Sequence, residues 1–118
     1  MNRVFTLPLF ALSLSALSSM ALAECDMPAG PIIPDGNVAS EDELVRASKA
    51  IKMFQESLIG YRNCLAEQEQ ALDPEAETTD EEKMAILENY NQSVEAEERV
   101  AGEFNEAVRA YKARNPSE

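Results

Sequence analysis

The sequence predicts an all-α protein: an antiparallel two-helix hairpin, coiled-coil-like, with an extended Pro-rich N-terminal arm disulfide-bonded to helix 1. Three observations carry this. Two long segments repeat apolar residues at alternating spacings of three and four. Each opens on a Ser/Thr-x-x-Glu signal and closes just before a proline. Two cysteines are present, one in a proline-rich stretch and one in the first helical segment.

The N-terminus reads as an export signal. Arg3 supplies a short positive region, Val4 to Met20 is mostly apolar, and Ala21-Leu22-Ala23 has the small-x-small pattern that signal peptidase reads. Cleavage is expected between Ala23 and Glu24, which makes residues 1–23 a signal peptide and the periplasm the expected destination. The apolar run is short for a membrane span and carries several serines. Leu22-Ala23-Glu24-Cys25 loosely resembles a lipobox, so lipidation at Cys25 is the alternative. Such a motif wants a small residue where Glu24 stands. No second apolar run follows, so no membrane insertion is expected after signal removal.

Residues 24–39 form the arm. Proline fixes φ and pushes its predecessor towards extended geometry. Pro28, Pro31 and Pro34 are three apart, the period of a polyproline II rod. Asp35-Gly36 then reads as a turn.

The first helix is expected over 40–72. Ser40 to Glu43 is a capping box, with acids facing the positive end of the helix dipole. Leu44, Ala47, Ile51, Phe54, Leu58, Tyr61, Leu65 and Leu72 make one apolar stripe, broken only at Gln68. Asp73-Pro74 ends it. An acidic loop is expected over 73–79 and the second helix over 80–114, introduced by a second capping box, Thr79 to Glu82. Leu87, Tyr90, Val94, Ala101, Phe104, Val108 and Tyr111 keep the spacing, with Glu97 as the exception. Lys112 and Arg114 suit the negative end of the dipole, and Asn115-Pro116 stops the helix. The two stripes are expected to face each other in one seam. Ile59, Ile86 and Val100 fall off it and need cover from the arm's Met27, Ile32 and Ile33, or from a partner.

Lengths place the arm. From Ser40 to Cys64 a helix climbs about 36 Å. Fifteen residues of polyproline-like chain span up to about 46 Å. An arm that turns at Asp35-Gly36 and runs back along helix 1 therefore brings Cys25 to Cys64. The expected contact is a second stripe of mostly small residues, Ala50, Met53, Ser57, Gly60 and Cys64. A mid-helix glycine costs about 1 kcal/mol against alanine, which a closely approaching backbone at Gly60 would explain. One bridge closing a loop of this size contributes about 4 kcal/mol on a chain-entropy treatment, which matters in a small exported domain.

The formal charge is −12, and losing Arg3 with the signal takes it to −13. So acidic a chain repels nucleic acid and anionic lipid. Histidine is absent, which removes the commonest general base and zinc ligand. The cysteines are not a C-x-x-C pair, Cys64 has no base to activate it, and no phosphate-binding loop is present. No catalytic residue, cofactor or metal site is therefore expected. Asp73 to Glu82 gathers six acids in ten residues, but as an EF-hand loop it lacks the glycine at position six and has methionine in place of the bidentate glutamate. The expected role is non-enzymatic, through a protein partner or self-association, with cation or small-ligand binding by loop 73–82 as the alternative.

The pattern C-x-x-P-x-x-P-x-I-P-D-G, here Cys25, Pro28, Pro31, Ile33, Pro34, Asp35 and Gly36, precedes a helix carrying Tyr61-x-x-Cys64-Leu65. Together these resemble uncharacterised small exported proteins of Gram-negative bacteria. The resemblance covers about residues 1–66. It implies export and a Cys25–Cys64 bridge, and it implies no activity.

Overall fold

The computed structural model describes residues 24–117. The expected signal peptide, up to the cleavage point after Ala23, lies outside the described residues. Within them there are two helices and no strand: α1, Glu41–Gln70, and α2, Thr79–Arg114.

Local chemistry explains both boundaries of α1. The Ser40 hydroxyl accepts from the Glu43 backbone N–H at 3.2 Å, and the Glu43 carboxylate accepts from the Ser40 N–H at 2.7 Å. This reciprocal pairing satisfies two otherwise orphaned groups. It also holds the Glu43 carboxyl below its ordinary pKa, the Ser40 backbone N–H contributing most. At the other end Ala71 donates back to Glu67, and Asp73-Pro74 prevents continuation.

The second capping box does not form. Thr78, with helical backbone angles, occupies the N-cap, and no side chain caps the first turn. Thr79 is instead the first helical residue. Its buried hydroxyl donates to the Asp73 carbonyl and closes the loop on itself. The Asp73 carboxylate accepts from the Glu75 N–H at 2.9 Å in the same turn.

The α1 stripe packs as its spacing indicates: Leu44, Ala47, Phe54, Leu58, Tyr61 and Leu65 are buried. The α2 stripe does not. Its buried residues are Ser93, Ala96, Val100 and Ala107, with Phe104 and Tyr111 partly buried. Leu87, Tyr90 and Ala101, expected in the seam, are exposed, and Val94, Phe104, Val108 and Tyr111 are half-buried. The helix is thus turned part of the way, so that the residues preceding Val94, Ala101 and Val108 are the buried ones.

The arm causes the rotation. It lies as a third layer in the groove between the helices, so α2 must serve both α1 and the arm. Cys25 is bonded to Cys64, with Cα atoms 5.8 Å apart. Gly30 sits so that a Cβ would lie 3.3 Å from Val100 and 3.7 Å from Phe54. Ile33 packs against Phe54, Leu58, Ala96 and Val100 in one cluster and Ala39, Leu44 and Ala107 in the next. A Cβ on Gly36 would overlap the Ala107 carbonyl. Glycine in the arm and small residues on α2 are the two sides of one close contact.

The expected arm-packing stripe is therefore corrected. Its ends, Ala50 and Cys64, are half-buried, but Met53, Ser57 and Gly60 between them are exposed. A Cβ at Gly60 would meet nothing within 4 Å. The two-helix groove offers apolar walls on both sides, and one face of a single helix offers only one.

The arm ends in an Asx turn. Asp35 Oδ1 accepts from the Asn37 backbone and side chain, both at 2.9 Å, and the Asp35 carbonyl accepts from Val38 and Ala39. Arg114, from the last turn of α2, donates to the carbonyls of Gly36 and Ala39 and lies over the Tyr111 ring. The start of the arm is thus tied by a covalent bond and its turn by a guanidinium.

Candidate functional site

Because the arm fills one groove of the hairpin, the groove on the other side stays open. At the closed end it is a cleft of about 580 Å³, lined by Leu65 and Ala66 of α1 and by Met84, Ile86, Leu87 and Tyr90 of α2, with no arm residue. Met84, Leu87 and Tyr90 are 67%, 53% and 44% exposed, an unusual concentration of large apolar groups at one place. Ile59 is 58% exposed, and Ala66 follows it at i+7 on the same face of α1. On α2 the face continues at strict heptad spacing from Leu87 through Val94 and Ala101 to Val108. Of this row Leu87 and Ala101 are exposed, and Val94 and Val108 are half-buried at the edge of the seam.

Polar groups fix the walls. Arg62 spans the seam beneath the cleft: its Nε donates to Ser93 Oγ at 2.9 Å and its Nη2 to Glu97 at 2.8 Å. The fully buried Ser93 hydroxyl passes on a hydrogen bond to the Tyr90 carbonyl at 2.6 Å. The guanidinium also lies 5.6 Å from the Tyr90 ring centroid, within cation–π range. Glu97, which interrupts the apolar row in the sequence, is the residue that answers Arg62.

Charge is unevenly spread around this face. Between Glu67 and Glu88 stand nine acids and one cation, Lys83. At the open end, residues 41–52 and 103–114 hold six cations and five acids. The closed end is strongly negative and the open end close to neutral.

The arm residues singled out by sequence are brought together. Pro28, Pro31, Ile33 and Pro34 are half-buried, Gly36 is buried, and Asp35 is exposed at the turn. Asp35 is held below its ordinary pKa, chiefly by the Asn37 backbone N–H, then by the Asn37 side chain, with Arg114 adding a smaller pull. Cys25 and Cys64 are bonded to each other. The acids of 73–82 stay exposed and do not converge: among the described residues no group of three or more His, Cys, Asp or Glu is placed to hold a metal ion. Among the same residues no helix is long and apolar enough to cross a membrane. Sequence reasoning missed Arg62, Ser93 and the small residues Ala96 and Ala107, and gave Arg114 only a place at the helix dipole without its contact with the arm. The available signal was the pairing of arm glycines with small residues on α2.

No known protein family, curated protein or solved structure matches the chain.

Proposed function

We propose that this is an exported, periplasmic, non-enzymatic protein that works by binding protein through the arm-free face of its hairpin. The observation that carries the reading is the open apolar cleft at Leu87, Tyr90 and Met84, backed by a bridged, register-fixed frame. A small domain that exposes large apolar side chains in one place has a use for them. The arm and its disulfide hold that frame rigid without covering the cleft. A disulfide of this kind persists in an oxidising compartment, which supports export together with the apolar N-terminal segment. The residue inventory supports the non-enzymatic reading, since a histidine-free chain has no obvious base or nucleophile pair.

The test is site-specific photo-crosslinking in the producing cell. A photoreactive residue at position 87 should give discrete adducts with protein. The same residue at position 67, exposed and outside the cleft, should not. No adduct at 87, or equal adducts at both positions, overturns the reading.

A further inference from the structure

We infer that the occupant of the arm-free face is a second copy of this chain, packed with the closed ends of the two hairpins at opposite ends of a four-helix bundle; the inference rests on the protein-binding reading above. The first support is periodicity. Leu87, Val94, Ala101 and Val108 recur every seven residues over three heptads. A seven-residue repeat keeps its apolar stripe facing another helix, not a flat surface or a small molecule. In this chain α1 and the arm cover Ser93, Ala96, Val100 and Ala107, which leaves Leu87 and Ala101 exposed and Val94 and Val108 half-buried for a helix from elsewhere.

The second support is charge. The acids crowd at the closed end, nine from Glu67 to Glu88 against the single cation Lys83, whereas the open end, residues 41–52 and 103–114, holds six cations and five acids. Reversing one copy therefore keeps the two acidic ends apart. A two-fold axis perpendicular to the helices lays the acidic closed end of each copy beside the nearly neutral open end of the other. Two copies aligned the same way would bring eighteen acids together at one end, opposed by like-charge repulsion. A two-fold arrangement also closes, so it stops at two copies.

The third support is area. From Lys83 to Lys112 the face is about 44 Å long, and two helices about 10 Å apart present a strip roughly 15–20 Å wide. Pairing two such strips removes about 1,300–1,800 Å² from water, within the range of stable specific interfaces.

Sedimentation velocity of the disulfide-bonded protein, at concentrations from low to high micromolar, is the experiment. A dimer is expected, and Leu87→Glu is expected to abolish it with the helical circular dichroism unchanged, since Leu87 is half-exposed in the single chain. The double variant Lys52→Glu/Lys112→Glu, which alters only exposed charges, is expected to weaken the dimer at least tenfold. Orientation is read from a spin label on Glu77→Cys, whose new thiol is the only free one because both native cysteines are bonded. The two labels should lie about 50 Å apart, the length of the helices. A monomer throughout, or a dimer indifferent to Leu87→Glu, overturns the inference. Labels within about 25 Å, too short for opposed helix ends, overturn the antiparallel arrangement. A monomer that still crosslinks from position 87 to a different protein overturns the pairing while leaving the protein-binding reading intact.

Discussion

Arg62 of α1 reaches across the seam to Glu97 of α2, 2.8 Å from guanidinium to carboxylate, and holds Ser93 on the way. Sliding α2 by one heptad would put Tyr90 or Phe104 opposite Arg62 in place of Glu97. The bridge therefore specifies register, as single polar groups do in coiled-coil seams. Both partners keep some contact with water, so Coulomb attraction alone is modest. Removing one side is worse than removing both, because the remaining group is left half-buried and unpaired. Arg62→Ala is expected to cost about 1–2 kcal/mol in urea unfolding. Arg62→Leu/Glu97→Leu is expected to recover most of that loss.

The two glycines Gly36 and Gly60 should answer oppositely to alanine. At Gly36 a Cβ would overlap the Ala107 carbonyl, which is helix backbone and cannot yield cheaply. Gly36→Ala should destabilise by about 1–3 kcal/mol, the usual cost of overpacking. At Gly60 there is open space, so alanine gains only helix propensity. Gly60→Ala should stabilise by about 0.5–1 kcal/mol. Paired thermal melts of the two variants measure the sign directly.

Opening the disulfide should free the arm before it melts the hairpin. The bridge joins residues 39 apart in sequence, and a loop of that size is worth about 4 kcal/mol on a chain-entropy treatment. Cys25→Ser should lower stability by up to that amount. Limited proteolysis of the variant should cut within residues 25–34 first, while α1 amides near Leu58 keep their hydrogen-exchange protection.

Acid should loosen the turn. Asp35 and Glu43 both have lowered pKa values in the folded state, so their contributions are full above the ordinary carboxylate range. They are lost as pH falls through the lowered native values. Asp35→Asn should flatten the acid limb of the stability–pH curve without changing stability near neutrality by as much as Gly36→Ala does. Arg114 faces the same turn, donating to the Gly36 carbonyl.

Much of this fold is legible in the residues. The α1 stripe from Leu44 to Leu65 is unambiguous because one row of large apolar residues stands among charges. The bridge is legible because only two cysteines exist and the arm has the length to join them. The face of α2 is not legible. That helix carries two apolar rows one residue apart, Ser93/Ala96/Val100/Ala107 and Leu87/Val94/Ala101/Val108. Hydrophobicity favours the second, whose side chains are larger. Packing chooses the first, because the arm backbone needs small residues beside it. The choice depends on a tertiary neighbour, so no property of α2 alone contains it. The open cleft follows from that choice and was hidden for the same reason.

Met84 and Met53 provide the most direct measurement of which face is in use. In the single chain they are 67% and 68% exposed, but only Met84 lines the open cleft. Dilute peroxide applied to the protein in its native setting, followed by mass spectrometry, compares their rates of sulfoxide formation. Met84 is expected to oxidise several-fold more slowly than Met53, and to catch up when Leu87→Glu is introduced. Equal rates in the wild-type protein would show the cleft to be empty where the protein works, and would contradict a binding role for the arm-free face.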